Sequence, residues 1–210
     1  MRDRRLLAIL GAGAIAVAAT LVIVLVGITP LPEFEGLAGS GESGFVAYVP
    51  DGDGPPRSVH IVDLATASTT EVRFGQDGEA VGWDDDGNLM VVQWGPTPLV
   101  KHLDPSTGEQ VGETQVAGEF AGPEGRDDVW VEHHDGRIVL ERPDGVSASF
   151  AAPDSYDVTS ASSMGENRVV FVDERGRVAV CEIGVDVTPV QVADDAQPWM
   201  WVTARPDMRP

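Results

Sequence analysis

The chain carries four histidines (His60, His102, His133 and His134), a single cysteine (Cys181) and three tight groups of aspartates. These residue types supply most metal donors, bases and nucleophiles, so their spacing decides which chemistry is open. His133 and His134 are adjacent. On a strand, neighbours point to opposite faces, so the two do not share one metal, and they abut the Asp135-Gly136 turn as a solvated hairpin end. The acids stand in "DGDG" (Asp51, Asp53), "WDDDGN" (Asp84, Asp85, Asp86) and "GRDD" (Asp127, Asp128). A helix-loop-helix calcium site needs acids at alternate positions, Gly at the sixth and Glu at the twelfth, and none of these groups supplies that spacing. They read as turn residues, in which Asp bonds its own backbone. Asp84 and Asp86 are kept as candidate metal ligands, and calcium is the one cofactor left open.

Nucleophilic catalysis finds no support. The nearest approach to a G-x-S-x-G elbow, "GESGF", has Gly fourth and Phe fifth. Cys181 lies in "RVAVCEI", alternately apolar, and reads as a small buried residue without a paired base. No catalytic residue is assigned, and the chain is read as a non-enzyme. Of the five tryptophans, Trp83, Trp94, Trp130, Trp199 and Trp201, core packing is the expected role for all, each burying roughly 150–250 Å². Trp94 and Trp201 are the two kept as candidates for a partner-binding patch.

Whatever positions these residues follows a segment of another kind. From Leu6 to Ile28 run 23 residues without a charge, enough to cross a hydrocarbon core of about 30 Å as a helix. Arg2, Arg4 and Arg5 precede the run, and Glu33 and Glu35 are the first charges after it. By the positive-inside rule, residues 1–5 are cytoplasmic, 6–28 are a signal anchor in the cell membrane, and the rest is extracytoplasmic. The alternative is a cleaved signal peptide. Against it, the small residues of "AVAA" (16–19) are followed by nine more uncharged ones, longer than the usual apolar region. The "GAGAIA" at 11–16 matches a nucleotide-binding fingerprint in letters alone, since that turn needs a soluble strand and helix around it.

Across the whole chain, 34 acids oppose 14 bases. Setting aside Asp3 and the three N-terminal arginines leaves 33 against 11, a balance of −22 that repels nucleic acid and anionic lipid. Such charge also keeps an exported domain soluble, and that is its plain reading. With one cysteine, no intrachain disulfide forms.

Residues 29–44, rich in Gly, Pro, Ser and Glu, read as a flexible linker. Beyond them come short Val-, Ile-, Trp- and Phe-bearing runs separated by Asp-Gly and related turns, which is an all-β pattern. An apolar-acidic pair recurs as Val62-Asp63, Leu103-Asp104, Leu140-Glu141 and Cys181-Glu182, at intervals of 41, 37 and 41. A second class of strand, "NLMVVQW", "DVWVEH" and "RVVFVDE", places Leu89, Val129 and Val169 each 40 apart. Two markers with one period of about 40 residues define a repeat of four short strands, the signature of a β-propeller blade.

Locally, "DLATAS" and above all "DPSTGE" resemble the turn of bacterial propellers of the TolB, YVTN and quinoprotein type, in which D-x-x-T-G joins the last two strands of a blade. The match is fullest at 103–109, partial at 62–68, and lacks Thr-Gly at 140–145 and 181–186. Runs at 79–83, 118–122, 157–162 and 198–203 read as first strands of four blades, and the last has no followers. The final "PWMWV" is therefore expected beside "FVAYV" (45–49), the first and last strands of the domain sharing one blade. The expectation is a small four-bladed β-propeller-like domain over 45–203 with a tail at 204–210. The alternatives are an open stack of sheets, or half a ring completed by a second chain.

For function, a membrane-anchored module with an unidentified protein partner leads. A loop-based metal-dependent or enzymatic module and an envelope structural protein stand as alternatives.

Overall fold

The computed structural model describes residues 34–52, 58–75, 78–115, 130–134, 137–141, 147–151, 157–165, 168–182 and 188–205. The expected anchor at 6–28 lies outside them, as do Asp53, Asp127, Asp128 and the expected strand at 118–122. Among the described residues no helix is long and apolar enough to cross a membrane.

The described chain is all-β. Its strands are β1 (Glu35–Gly36), β2 (Phe45–Tyr48), β3 (Ser58–Asp63), β4 (Ser68–Arg73), β5 (Gly78–Trp83), β6 (Leu89–Gln93), β7 (Leu99–Leu103) and β8 (Gln110–Gln115). There follow β9 (Trp130–His134), β10 (Arg137–Glu141), β11 (Ser147–Ala151), β12 (Val158–Ser163), β13 (Arg168–Asp173), β14 (Val178–Glu182), β15 (Val190–Ala193) and β16 (Val202–Arg205). They make four separate sheets: sheet 1 is β16-β2-β3-β4, sheet 2 is β5-β6-β7-β8, sheet 3 is β11-β10-β9, and sheet 4 is β1-β15-β14-β13-β12. None of the four closes on itself. Every apolar-acidic pair of the repeat falls at the end of β3, β7, β10 or β14.

Composition follows position in the sheet. Sheet 1 is buried on both faces, so β2 reads "FVAY" and β3 "SVHIVD" without a strict polar alternation. Val46, Tyr48, Val62 and Leu64 pack with Val170, Val172, Val178 and Val180 of sheet 4. The intervening Ala47, Val49, Val59 and Ile61 pack with Leu89, Val91 and Leu103 of sheet 2. Each such aliphatic side chain contributes about 1.5–3 kcal/mol by leaving water. The outer strands β4 "STTEVR" and β8 "QVGETQ" lack that second neighbour and are polar and exposed.

β5 of sheet 2 lies against β16, β3 and β2 of sheet 1, β16 of sheet 1 against β12 and β13 of sheet 4, and β12 of sheet 4 against β9 of sheet 3.

β16 pairs antiparallel with β2, with Val202 opposite Tyr48 and Arg205 opposite Phe45, so the first and last strands of the domain share a sheet. The strand starts at 202 rather than 198. Ahead of it Met200 N–H turns back to the Gln197 carbonyl, and Trp199 has a left-handed backbone, φ 69°. At the other end it runs on to Arg205, two residues into the expected tail.

The stretch read as a linker is described from 34 onward, and there it lies on sheet 4. β1 runs parallel to β15, with Glu35 opposite Val190. The Phe34 ring sits 6.3 Å from the Phe171 ring with the Arg177 guanidinium 4.4 Å over the Phe34 ring itself, Leu37 packs on the core, and Glu42 pairs with Arg168. Two apolar side chains among Gly, Ser and Glu carry this docking, too few to leave a periodic signal in the sequence.

The two turns behind the propeller resemblance share one backbone. In "DPSTGE", Asp104 Oδ1 accepts from Ser106 N (2.8 Å) and Ser106 Oγ (2.6 Å), and Gly108 takes φ 73°. In "DLATAS", Asp63 Oδ1 accepts from Ala65 N at 2.9 Å, and Ala67 takes φ 54° where the other turn has Gly. The conformation recurs although the glycine does not.

Candidate functional site

Glu79, in β5, is the carboxylate that long-range folding surrounds. It is half-buried and opposite Val92 of β6. Trp94, just past the end of β6, donates its ring N–H to this carboxylate. From more than a hundred residues on, the Trp201 backbone N–H reaches Glu79 Oε1 at 3.3 Å, where β16 begins beside β5. The Trp201 ring packs on Met90, Val92 and Val100. Burial raises the Glu79 pKa above its ordinary 4.5, and the bonds from Trp201 and Trp94 only partly offset it. The two tryptophans singled out from sequence are thus brought to one acid that the sequence did not single out.

Trp199 departs from the expected core role. It is 69% exposed, and its N–H reaches Thr159 Oγ1 of β12 at 3.4 Å. Trp94 is 39% exposed. Trp83 follows the core expectation more closely, half-buried with its ring 6.4 Å from that of Phe45.

The segment before Trp199 is latched to sheet 1. Tyr48 Oη donates to Asp195 Oδ1 at 2.6 Å, and His60 Nδ1 lies 3.2 Å from the same hydroxyl and 3.5 Å from Asp195 Oδ2. Gln197 N–H bonds the Val49 carbonyl at 2.8 Å, and Ala196 N–H the Gly176 carbonyl at 2.9 Å. Burial first, then the bond to Asp195 and the charges of Asp195 and Asp194, raise the Tyr48 pKa far above its usual value. Tyr48 therefore stays protonated and serves as a donor that ties 194–197 down. Nothing local in the sequence joins residues 48, 60 and 195, so this cluster escaped sequence reading.

Asp84 and Asp86 do not come together on one ligand position. Asp84 accepts from Asn88 N (2.7 Å), Asn88 Nδ2 (3.0 Å) and His102 Nδ1 (2.8 Å), while Asp86 is exposed. Burial alone would raise the Asp84 pKa, but the bonds from the Asn88 side chain, His102 and the Asn88 backbone outweigh it and lower the value. Among the described residues no three His, Cys, Asp or Glu side chains are grouped to hold a metal ion. The acids at 84, 104 and 173 all bind turn backbone, as at Asp173, which accepts from Arg175 N at 3.0 Å and Arg177 N at 2.9 Å.

His102 also places Nε2 3.2 Å from Thr114 Oγ1, completing a hydroxyl-imidazole-carboxylate row with Asp84. Thr114 stands exposed on outer strand β8, where bulk water screens any oxyanion that forms. The row is a cross-strand hydrogen-bond chain that pins β8 to β7. Cys181 is 4% exposed, and burial pushes its thiol up to about 12 against the opposing pull of Arg168, so it is an inert core residue.

Comparison with protein-family models finds none that matches the chain, and a search of curated proteins finds no significant relative.

Proposed function

We propose that this protein is a single-pass, membrane-anchored, extracytoplasmic module whose four-bladed propeller-like domain binds a protein partner without catalysis. Its binding face lies where β5, β12 and β16 begin. The uncharged run at 6–28 and the arginines before it support the anchor and its orientation.

The propeller reading is supported by the 40-residue period, by sheets of similar strand order, and by the contacts of β5 with β16, β16 with β12 and β12 with β9 that join neighbouring sheets. The resemblance to TolB- and YVTN-type blades agrees with this and adds that such rings commonly act as binding platforms.

One observation carries the choice of face. Trp199 is a bulky residue that is largely exposed and held at φ 69°, which costs on the order of 1 kcal/mol or more for a side chain with a Cβ. It lies in the same short segment whose Trp201 N–H bonds Glu79, the carboxylate that Trp94 also bonds. A large aromatic kept outside the core in a strained backbone is what a recognition surface requires and what solubility alone disfavours.

The test is photo-cross-linking in intact membranes, with p-benzoylphenylalanine in place of Trp199 or of Val111. Val111 is 57% exposed on the outer strand β8. The probe at 199 should give a discrete protein adduct that the probe at 111 does not. No adduct at 199, or the same adducts at both, contradicts the reading.

A further inference from the structure

We infer that the Trp94–Glu79–Trp201 constellation, with the exposed Trp199 two residues before Trp201 in the chain, recognises an arginine side chain on an extended segment of the partner. The inference rests on the binding face proposed above and names the chemistry of what it takes.

Glu79 accepts two N–H bonds, from Trp94 and from the backbone of Trp201. A carboxylate offers about four acceptor positions, so two remain for a forked donor. Indole beside a carboxylate suits a planar guanidinium, which stacks on the ring while it bonds the acid. A lysine ammonium does the second less well and the first hardly at all.

The surroundings complement a cation. Asp194 and Asp195 are exposed in the segment that leads to Trp199, and the Asp195 carbonyl accepts the N–H of exposed Asp51. Among the described residues hydrogen-bonded to 194–201, Asp51 and Glu79 are acids and none is a lysine or arginine. The half-buried acid has a cost in the free protein, since desolvation disfavours its charge, and the attraction and hydrogen bonds of an arriving guanidinium offset that cost.

The experiment uses the full chain purified in a non-ionic detergent. The probe is a fluorescein-labelled Gly-Arg-Gly-Arg-Gly peptide, compared with its citrulline counterpart, with affinity read by anisotropy at about 150 mM salt, where distant surface charge is largely screened. The arginine peptide should bind, and the citrulline peptide about tenfold or more weakly. Glu79→Gln should weaken the arginine peptide by about tenfold and leave the citrulline peptide unmoved. Trp199→Gly should weaken binding by roughly fivefold without lowering the melting temperature, because Gly relieves the left-handed strain. The double variant Asp85→Asn/Asp86→Asn removes two exposed charges from another turn and should change affinity less than about twofold.

Equal binding of the two peptides overturns the inference. So does a loss in the Asp85/Asp86 variant as large as that in Glu79→Gln, because bulk negative charge then suffices. Failure of the arginine peptide to bind at about 1 mM, a floor near −4 kcal/mol, overturns it too. The cross-link at 199 judges the binding face independently, since a partner captured there through a segment without arginine keeps the face and removes this chemistry.

Discussion

Asp104 and Glu79 both belong to sheet 2, and their carboxylates have opposite situations. Asp104 is bonded within four residues of itself, to Ser106 and Thr107 in the β7–β8 turn, and these bonds hold its pKa below the ordinary 3.8. Glu79 is bonded by residues brought from other loops, and its burial raises its pKa above 4.5. The first acid stabilises the fold by being charged. The second is charged at a cost that its bonds from Trp94 and Trp201 only partly offset. In a chain with 34 acids, abundance says little about function. What distinguishes a candidate is whether its partners are local backbone or assembled side chains.

That comparison is most severely broken by disturbing the segment that assembles the Glu79 site. Gly176, in the β13–β14 turn, has φ +77°, and a Cβ there would collide with the carbonyl oxygen of Ala196. Gly176→Ala should therefore cost about 2–3 kcal/mol in thermal or urea denaturation, and it should displace 196–201 from Glu79. If the variant melts with the wild type, the latch between sheet 4 and the tryptophan segment is not as described.

A smaller effect sharpens the contrast through pH. Asp104, with its folded pKa depressed, contributes stability that is present above pH 3.8 and fades as pH falls through the lower folded value. Glu79, with its folded pKa raised, contributes stability that is present below pH 4.5 and is lost as pH rises through the higher folded value. Melting curves from pH 3 to 8 should therefore show Asp104→Asn less stable than wild type near neutrality and converging on it in acid. Against Glu79→Gln, wild type should lose ground as pH rises above 4.5. Parallel curves for the two variants would erase the distinction between these acids.

Much of the fold was legible because strand chemistry repeats. The apolar-acidic pairs mark the ends of strands since an acid there begins the turn, and the polar β4 and β8 mark the outer edges since nothing covers them. The pairing of β16 with β2 followed from a first strand without followers. Less legible was where β16 starts, since "PWMWV" reads as a strand by composition and only the tertiary bond from Trp199 to Thr159 turns its first half aside. The docking of 34–44 on sheet 4 was hidden in a composition suited to a linker.

Trp94 and Trp201 stood out in the sequence because indole is costly to expose, whereas Glu79, the acid both bond, looked like any acid among many. Tyr48, His60 and Asp195 meet only because the last strand returns to the first. Asp84 drew notice through its crowded acidic neighbours, and its carboxylate bonds Asn88 and His102.

The central claim is that the returning last strand holds the Trp199–Trp201 segment on Glu79. Hydrogen exchange of the full chain, read at single amides, tests it most directly. The account predicts that the Trp201 N–H and the ladder amides of Val202–Arg205 are protected to the level of Phe45–Tyr48, with the Trp201 protection reduced in Glu79→Gln. Exchange of 201–205 at the rate of a free tail, with β2 still protected, would contradict it.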